Sequence, residues 1–199
     1  MKLELPEGPF KAYLFDCDGT IVDSMPLHYV AWNTVLGEYG CEFDEALFYA
    51  WGGMPVVEII KALNEMHGID MPVEETRARK EKIYFSNLAK LQGVPEVIEH
   101  IHLSHGHVPF AVVSGSTRDS VVASLETLGI LDKFEILVCA GDYVKGKPDP
   151  EPFLIAAERL GVKPEDCLVF EDTDMGIDAA KAAGMGWVKV MQPWERVAV

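Results

Sequence analysis

The apolar residues of this chain follow two rhythms, and the change from one to the other organises it. An early apolar run, Tyr13-Leu14-Phe15, reads as a buried strand. Helical spacing follows, with Leu27, Val30, Ala31, Val35 and Leu36 on one face of Pro26–Tyr39 and a stop at Gly40. A short piece at Asp44–Ala50 comes next. Gly52-Gly53-Met54-Pro55 then opens a helix over Val56–His67 that ends at Gly68, and a charged helix runs from Pro72 to Leu91. From Pro95 onward helix and strand alternate: helix Glu96–His105, strand Pro109–Ser114, helix Arg118–Leu128, strand Glu135–Cys139, helix Glu151–Leu160, strand Cys167–Phe170, helix Met175–Ala183 and strand Trp187–Val190. Glycines at 129, 161 and 184 mark helix ends.

Such alternation predicts an α/β fold, a parallel sheet with helices on both faces. The first strand is too isolated to make a domain, so it is expected to join the later sheet. That assigns residues 1–24 and 93–199 to an α/β core and 25–92 to an inserted all-helical cap, with Val22–Met25 and Gly93–Pro95 as pivots.

Composition narrows the class. The 199 residues are 49% hydrophobic and 25% charged, as in soluble globular proteins. A net charge of −15 without a basic stretch argues against nucleic acid, but leaves small phosphorylated substrates open, since these need only a few placed cations. No apolar run is long enough to span a bilayer, and Met1–Pro6 is unlike a secretory signal, so no membrane partner and a cytoplasmic monomer are expected. Cys17, Cys41, Cys139 and Cys167 form no C-x-x-C pair and read as free thiols.

In open parallel sheets, ligands bind beyond the carboxyl ends of the strands. Strand one ends in Asp16-Cys17-Asp18-Gly19-Thr20, two carboxylates two residues apart before a glycine turn. Like charges that close need a cation beside them, which suits a magnesium site, a nucleophile with an acid/base, or both; in isolation a helix cap or solvated turn fits as well. The next strand ends in Ser114-Gly115-Ser116-Thr117, a hydroxyl and amide turn suited to a phosphate oxygen, and Ser114 can cap the helix after it at the same time. Lys147 follows the third strand on a proline-held loop, and Glu171-Asp172 ends the fourth. Together these suit a magnesium ion and a phosphoryl group. His100, His102, His105 and His107 crowd a helix end without a carboxylate or cysteine at ligand spacing, and Cys17 is expected to face the core.

Those four segments, in that order, resemble the haloacid dehalogenase-like phosphohydrolases, over residues 12–24 and 95–190. The helical insert after the first motif resembles their C1 cap, and the chain is most similar to the branch that holds β-phosphoglucomutase and small sugar phosphatases. The resemblance implies a Rossmann-like core, Asp16 as the nucleophile forming an aspartyl phosphate, and Asp18 as acid and base. It also implies Ser114, Gly115, Ser116 and Lys147 as phosphoryl-binding groups, and Mg²⁺ held by Asp16, the Asp18 carbonyl and Asp172 with Glu171 close by. Dehalogenases and phosphonate hydrolases of the superfamily lack the second aspartate, and Asp18 is present here, so ester cleavage with a protonated leaving group is expected.

In the cap, His28 and Lys80 match positions that approach substrate. The competing readings are a packing histidine and a solvated helix face shared with Arg77, Arg79 and Lys82. The mutase pattern carries an arginine after the cap glycine, where this chain has Gly53-Met54-Pro55-Val56-Val57. The expectation is therefore a phosphatase for a small sugar phosphate such as fructose 1-phosphate. A hexose phosphate mutase of the β-phosphoglucomutase type and a non-catalytic phosphometabolite-binding protein are the alternatives.

Overall fold

The computed structural model describes residues 3–52 and 54–191. The chain divides into two compact units, one running through Asp23 and resuming at Gln92, the other Ser24–Leu91.

Five parallel strands form the sheet of the first unit: β1 (Ala12–Phe15), β4 (Phe110–Val113), β5 (Ile136–Val138), β6 (Cys167–Glu171) and β7 (Gly186–Lys189), in the order β5-β4-β1-β6-β7. Between β1 and β4 come β2 (Val22–Asp23) and β3 (Gln92–Gly93), which pair antiparallel as a ribbon of their own. The ribbon joins the two stretches expected to be pivots. Two-residue strands carry no alternation, which is why the sequence pattern did not reveal it.

The most central strand, β1, is buried on both sides, and its alternate residues serve two different cores. Ala12 and Leu14 pack with Ala111, Val113, Val138 and Val169 against Phe153, Ala156 and Ala157 of α7 (Glu151–Leu160) and Ala179 and Ala180 of α8 (Asp174–Ala182). The alanines let both helices lie close to the sheet. Tyr13 and Phe15 join an aromatic layer on the opposite face, where Phe15 stacks on Phe170 at 4.5 Å and meets Phe110 edge-on at 5.3 Å. His100 of α5 (Pro95–Ser104) closes that layer 5.3 Å from Tyr13 and 5.0 Å from Phe170, and its burial lowers its pKa. The histidine crowding thus belongs partly to packing. Among the described residues no group of three or more His, Cys, Asp or Glu is disposed to hold a metal. The second helix of this unit, α6 (Arg118–Thr127), follows β4 and is capped by Thr117, whose hydroxyl accepts the Ser120 N–H.

The second unit contains α1 (Met25–Gly37), α2 (Glu45–Ala50), α3 (Val56–His67) and α4 (Val73–Asn87). Trp32, Phe43, Phe48, Ile60, Leu63 and Tyr84 fill its interior. Helix α3 ends on Gly68 at φ +64°, a left-handed position that glycine adopts without a Cβ clash. Helix α4 ends at Asn87 rather than at Leu91, the expected end. The side chains of Ser86 and Asn87 both donate to the Ile83 carbonyl, at 2.7 and 2.9 Å, and so compete with the helical ladder; a single 3₁₀ turn over Leu88–Lys90 follows. Gly53 lies outside the described residues.

Candidate active site

Register sets the centre of the site. Phe15 pairs with Val112 on one side and with Phe170 on the other, so the next residue, Asp16, stands level with Val113 and Glu171. Neighbouring strands run about 4.8 Å apart, so two carboxylates face each other across one strand gap. Lys147 lies between them. Its ammonium donates to Asp16 Oδ1 at 2.6 Å, Glu171 Oε1 at 2.7 Å and the Val113 carbonyl at 2.9 Å, which satisfies all three N–H bonds. Lys147 also lies 5.0 Å from the Phe153 ring centroid.

Glu171 is held on its other oxygen by the Thr173 amide and hydroxyl, at 2.8 and 2.9 Å. Both of its carboxylate oxygens therefore have protein partners. Asp172 Oδ1 accepts a hydrogen bond of 2.9 Å from Thr20, a fully buried hydroxyl at the turn after strand one. That turn is shaped by Gly19 at φ +89°, whose amide bonds back to the Val22 carbonyl.

The electrostatics follow from burial. Asp16 is 8% exposed, and desolvation drives its pKa well above the usual carboxylate range, against the pull of Lys147 and with further push from Glu171 and Asp172. Burial and the Glu171 charge raise Asp172 to about 7. The Lys147 pKa also rises, which here favours the charged form: desolvation works against it, but Asp16 and Glu171 hold it above the usual lysine value. Asp16 and Asp172 thus bring an excess of negative charge, on hard oxygen donors, beside the one ammonium. That donor set fits a divalent cation such as Mg²⁺, which takes one or two carboxylates and a carbonyl and keeps several waters.

The hydroxyl turn stands beside this group. The Ser114 amide donates to the Val138 carbonyl at 2.9 Å, and its side chain is buried and accepts from the Ser116 amide at 3.0 Å. The Ser116 hydroxyl donates to Asp18 Oδ2 at 2.6 Å, which ties the second aspartate to the turn. A Cβ on Gly115 would meet nothing within 4 Å, so the protein leaves open space over that residue. Cys17 is buried, and burial followed by the neighbouring Asp18 and Asp16 charges raises its thiol pKa, which keeps it an unreactive core residue.

Asp16, Asp18, Ser114, Gly115, Ser116, Lys147, Glu171 and Asp172 are therefore assembled in one unit. His28 and Lys80 lie in the other. His28 stacks on Tyr84 at 4.3 Å, and Lys80 is 7% exposed with its ammonium 5.9 Å from the ring centroids of both Trp32 and Tyr84. A solvated face is thus ruled out for Lys80. Sequence reasoning missed Thr173, which orients Glu171, and Tyr143, whose hydroxyl donates to the Ser114 carbonyl at 3.2 Å. Nothing in their local sequence signals those partners.

Residues 10–184 match the model of the haloacid dehalogenase-like hydrolases. The chain is 38% identical to fructose-1-phosphate phosphatase YqaB of Escherichia coli K12, covering 91% of this chain and 96% of the relative. It is 31% identical to β-phosphoglucomutase of Bacillus subtilis 168, covering 92% and 84%. The crystal structure of β-phosphoglucomutase from Clostridium difficile superposes with a TM-score of 0.77 at 27% identity, over 89% of this chain and 83% of that one.

Proposed function

This chain belongs to the haloacid dehalogenase-like hydrolases, and from that premise we propose that it hydrolyses a small sugar phosphate, with fructose 1-phosphate the first substrate to test. It is a phosphoric monoester hydrolase. The observation that carries the reading is the Lys147 ammonium, bonded to Asp16 and Glu171 beside the Ser114 turn. A carboxylate can approach a phosphate dianion only where positive charge offsets their repulsion, and Lys147 fixes that charge on the attacking group.

In this mechanism an Asp16 oxygen bonds to phosphorus as the bond to the ester oxygen breaks. Asp18 gives its proton to the leaving alkoxide. Water then attacks phosphorus as its bond to Asp16 breaks and Asp18 takes the water's proton, which releases inorganic phosphate and restores the Asp16 carboxylate. Ser114 and the Gly115 and Ser116 amides hold the phosphoryl oxygens, with the open space over Gly115 leaving room for them. Mg²⁺ would be held by Asp16, the Asp18 carbonyl and Asp172, and supplies positive charge against the phosphoryl oxygens. Glu171, close to that ion, orients Lys147 and is itself held by Thr173. The helical unit acts as the cap that selects the sugar, with His28 and Lys80 as its polar groups.

A mutase reading draws on the 31% identity to β-phosphoglucomutase. Against it, Met54–Val57 offers only apolar side chains where a second phosphate would need a cation. The test is phosphate release from fructose 1-phosphate and other sugar phosphates with and without Mg²⁺, alongside β-glucose 1-phosphate with a bisphosphate primer. Free phosphate is expected from the wild type and none from Asp16→Asn. Glucose 6-phosphate as the product would support the mutase, and an Asp16→Asn variant with full release would overturn the mechanism.

A further inference from the structure

The phosphoryl-binding turn and the lysine loop come from different strands, yet both must meet the same phosphate. One ion pair crosses between them. Arg118, the first residue of α6 and one past the cap Thr117, donates through Nη2 to Asp142 Oδ2 at 2.6 Å and to the Leu137 carbonyl on β5 at 3.1 Å. Asp142 stands at the start of the loop that carries Lys147, and its Oδ2 also accepts the Cys139 amide at 2.8 Å. Arg159 of α7 approaches the same oxygen at 3.8 Å. Burial works to raise the Asp142 pKa, but the Cys139 amide and the two arginines hold it below the usual carboxylate range. Asp142 is therefore ionised throughout the neutral range.

Two further bonds follow the same seam. The Ala140 amide donates to the Ser116 carbonyl at 3.0 Å, and the Tyr143 hydroxyl donates to the Ser114 carbonyl at 3.2 Å. Both rest on weakly specific backbone acceptors. The Arg118–Asp142 pair is the charged member of the set, and charge-assisted bonds are about twice as strong as neutral ones. The Asp142 side chain is 23% exposed, so solvent screening of the pair is partial.

We infer that Asp142, acting through Arg118, is a positioning residue that clips the Ser114–Thr117 turn to the Lys147 loop, so that phosphate meets both already aligned. The inference rests on the proposed phosphatase reading, because it assigns both segments to one phosphoryl group. Neither residue touches the phosphate itself. Their effect is geometric, and a misplacement of about 1 Å in such a site costs up to about 100-fold.

The test uses the full chain with Mg²⁺ and compares wild type, Asp142→Asn, Arg118→Gln and the double variant. Asn keeps an acceptor for the Cys139 amide and removes only the charge, and Arg118 is half exposed, so neither substitution opens a cavity in the core; thermal melts identify the folded variants. Two readouts are independent: steady-state hydrolysis, and affinity for inorganic phosphate measured by calorimetry. Each single variant should lose about tenfold in kcat/KM and in phosphate affinity, mostly through KM, and the double variant should lose no more than the worse single. Wild-type phosphate affinity in folded single variants, or losses that multiply in the double variant, would overturn the clip. A wild type that binds phosphate without hydrolysing any ester would overturn the phosphatase reading, while the same variants' affinities still decide the clip. A wild type that does neither overturns both.

Discussion

At the scale of the residue, the site turns on where one ammonium goes. Lys147 satisfies its three protons on Asp16, Glu171 and a strand carbonyl, so it serves as a fixed charge with little freedom to move. Lys147→Met should lower kcat by roughly 100- to 1,000-fold, the scale seen when one charge-stabilising donor is removed from a site. It should also leave two buried carboxylates facing each other, so the metal-free variant should unfold at a lower temperature than the wild type unless one of them takes up a proton. Parallel kinetics and thermal melts check both; an unchanged kcat would remove Lys147 from the mechanism. Asp16 and Asp172 were legible in the sequence because each follows a strand end with a charge, and Lys147 because prolines hold it on the loop after β5. The partners of Glu171 were not legible, because they are fixed by strand register and by the first turn of a helix.

At the scale of the element, α8 shows how a helix can set a side chain that is not its own. Its third residue, Gly176, lies so close to β6 that a Cβ there would overlap the Glu171 carboxyl group. The Gly176 amide also donates to the Thr173 hydroxyl at 3.1 Å, the same hydroxyl that holds Glu171. Gly176→Ala should therefore push Glu171 off Lys147, at a cost of about 1–3 kcal/mol in stability from overpacking and a fall in kcat larger than the rise in KM. A variant with wild-type melting and turnover would show that the helix can yield. The helix itself was readable from its periodicity. The need for glycine inside it was not, since only the packing against β6 creates it.

At the scale of the whole molecule, acidity meets burial. The chain carries a net charge of −15, and Asp16 and Asp172 sit among buried carboxylates whose pKa values rise, Asp172 to about 7 from an ordinary 3.8. The sign follows from proton linkage. A folded state with a raised carboxyl pKa holds a proton that the unfolded chain has released, so without metal stability falls as pH rises from about 4 toward 7. A divalent cation held at the proposed site would compete with those protons for the same oxygens. The rise in Tm on adding Mg²⁺ should therefore be small at pH 5 and large at pH 8; melting curves with equal shifts at both would contradict it. What the sequence determined by itself was the alternation of strand and helix, the helical block between the first strand and the rest, and the kind of chemical group at each strand end. Those are properties of near neighbours, written in periodicity and turn residues. The tertiary structure decided the pairings: Asp16 level with Glu171, Lys147 between them, Asp18 tied to Ser116, and Arg118 reaching Asp142. These depend on strand register and on desolvation, which arise only when distant segments pack together.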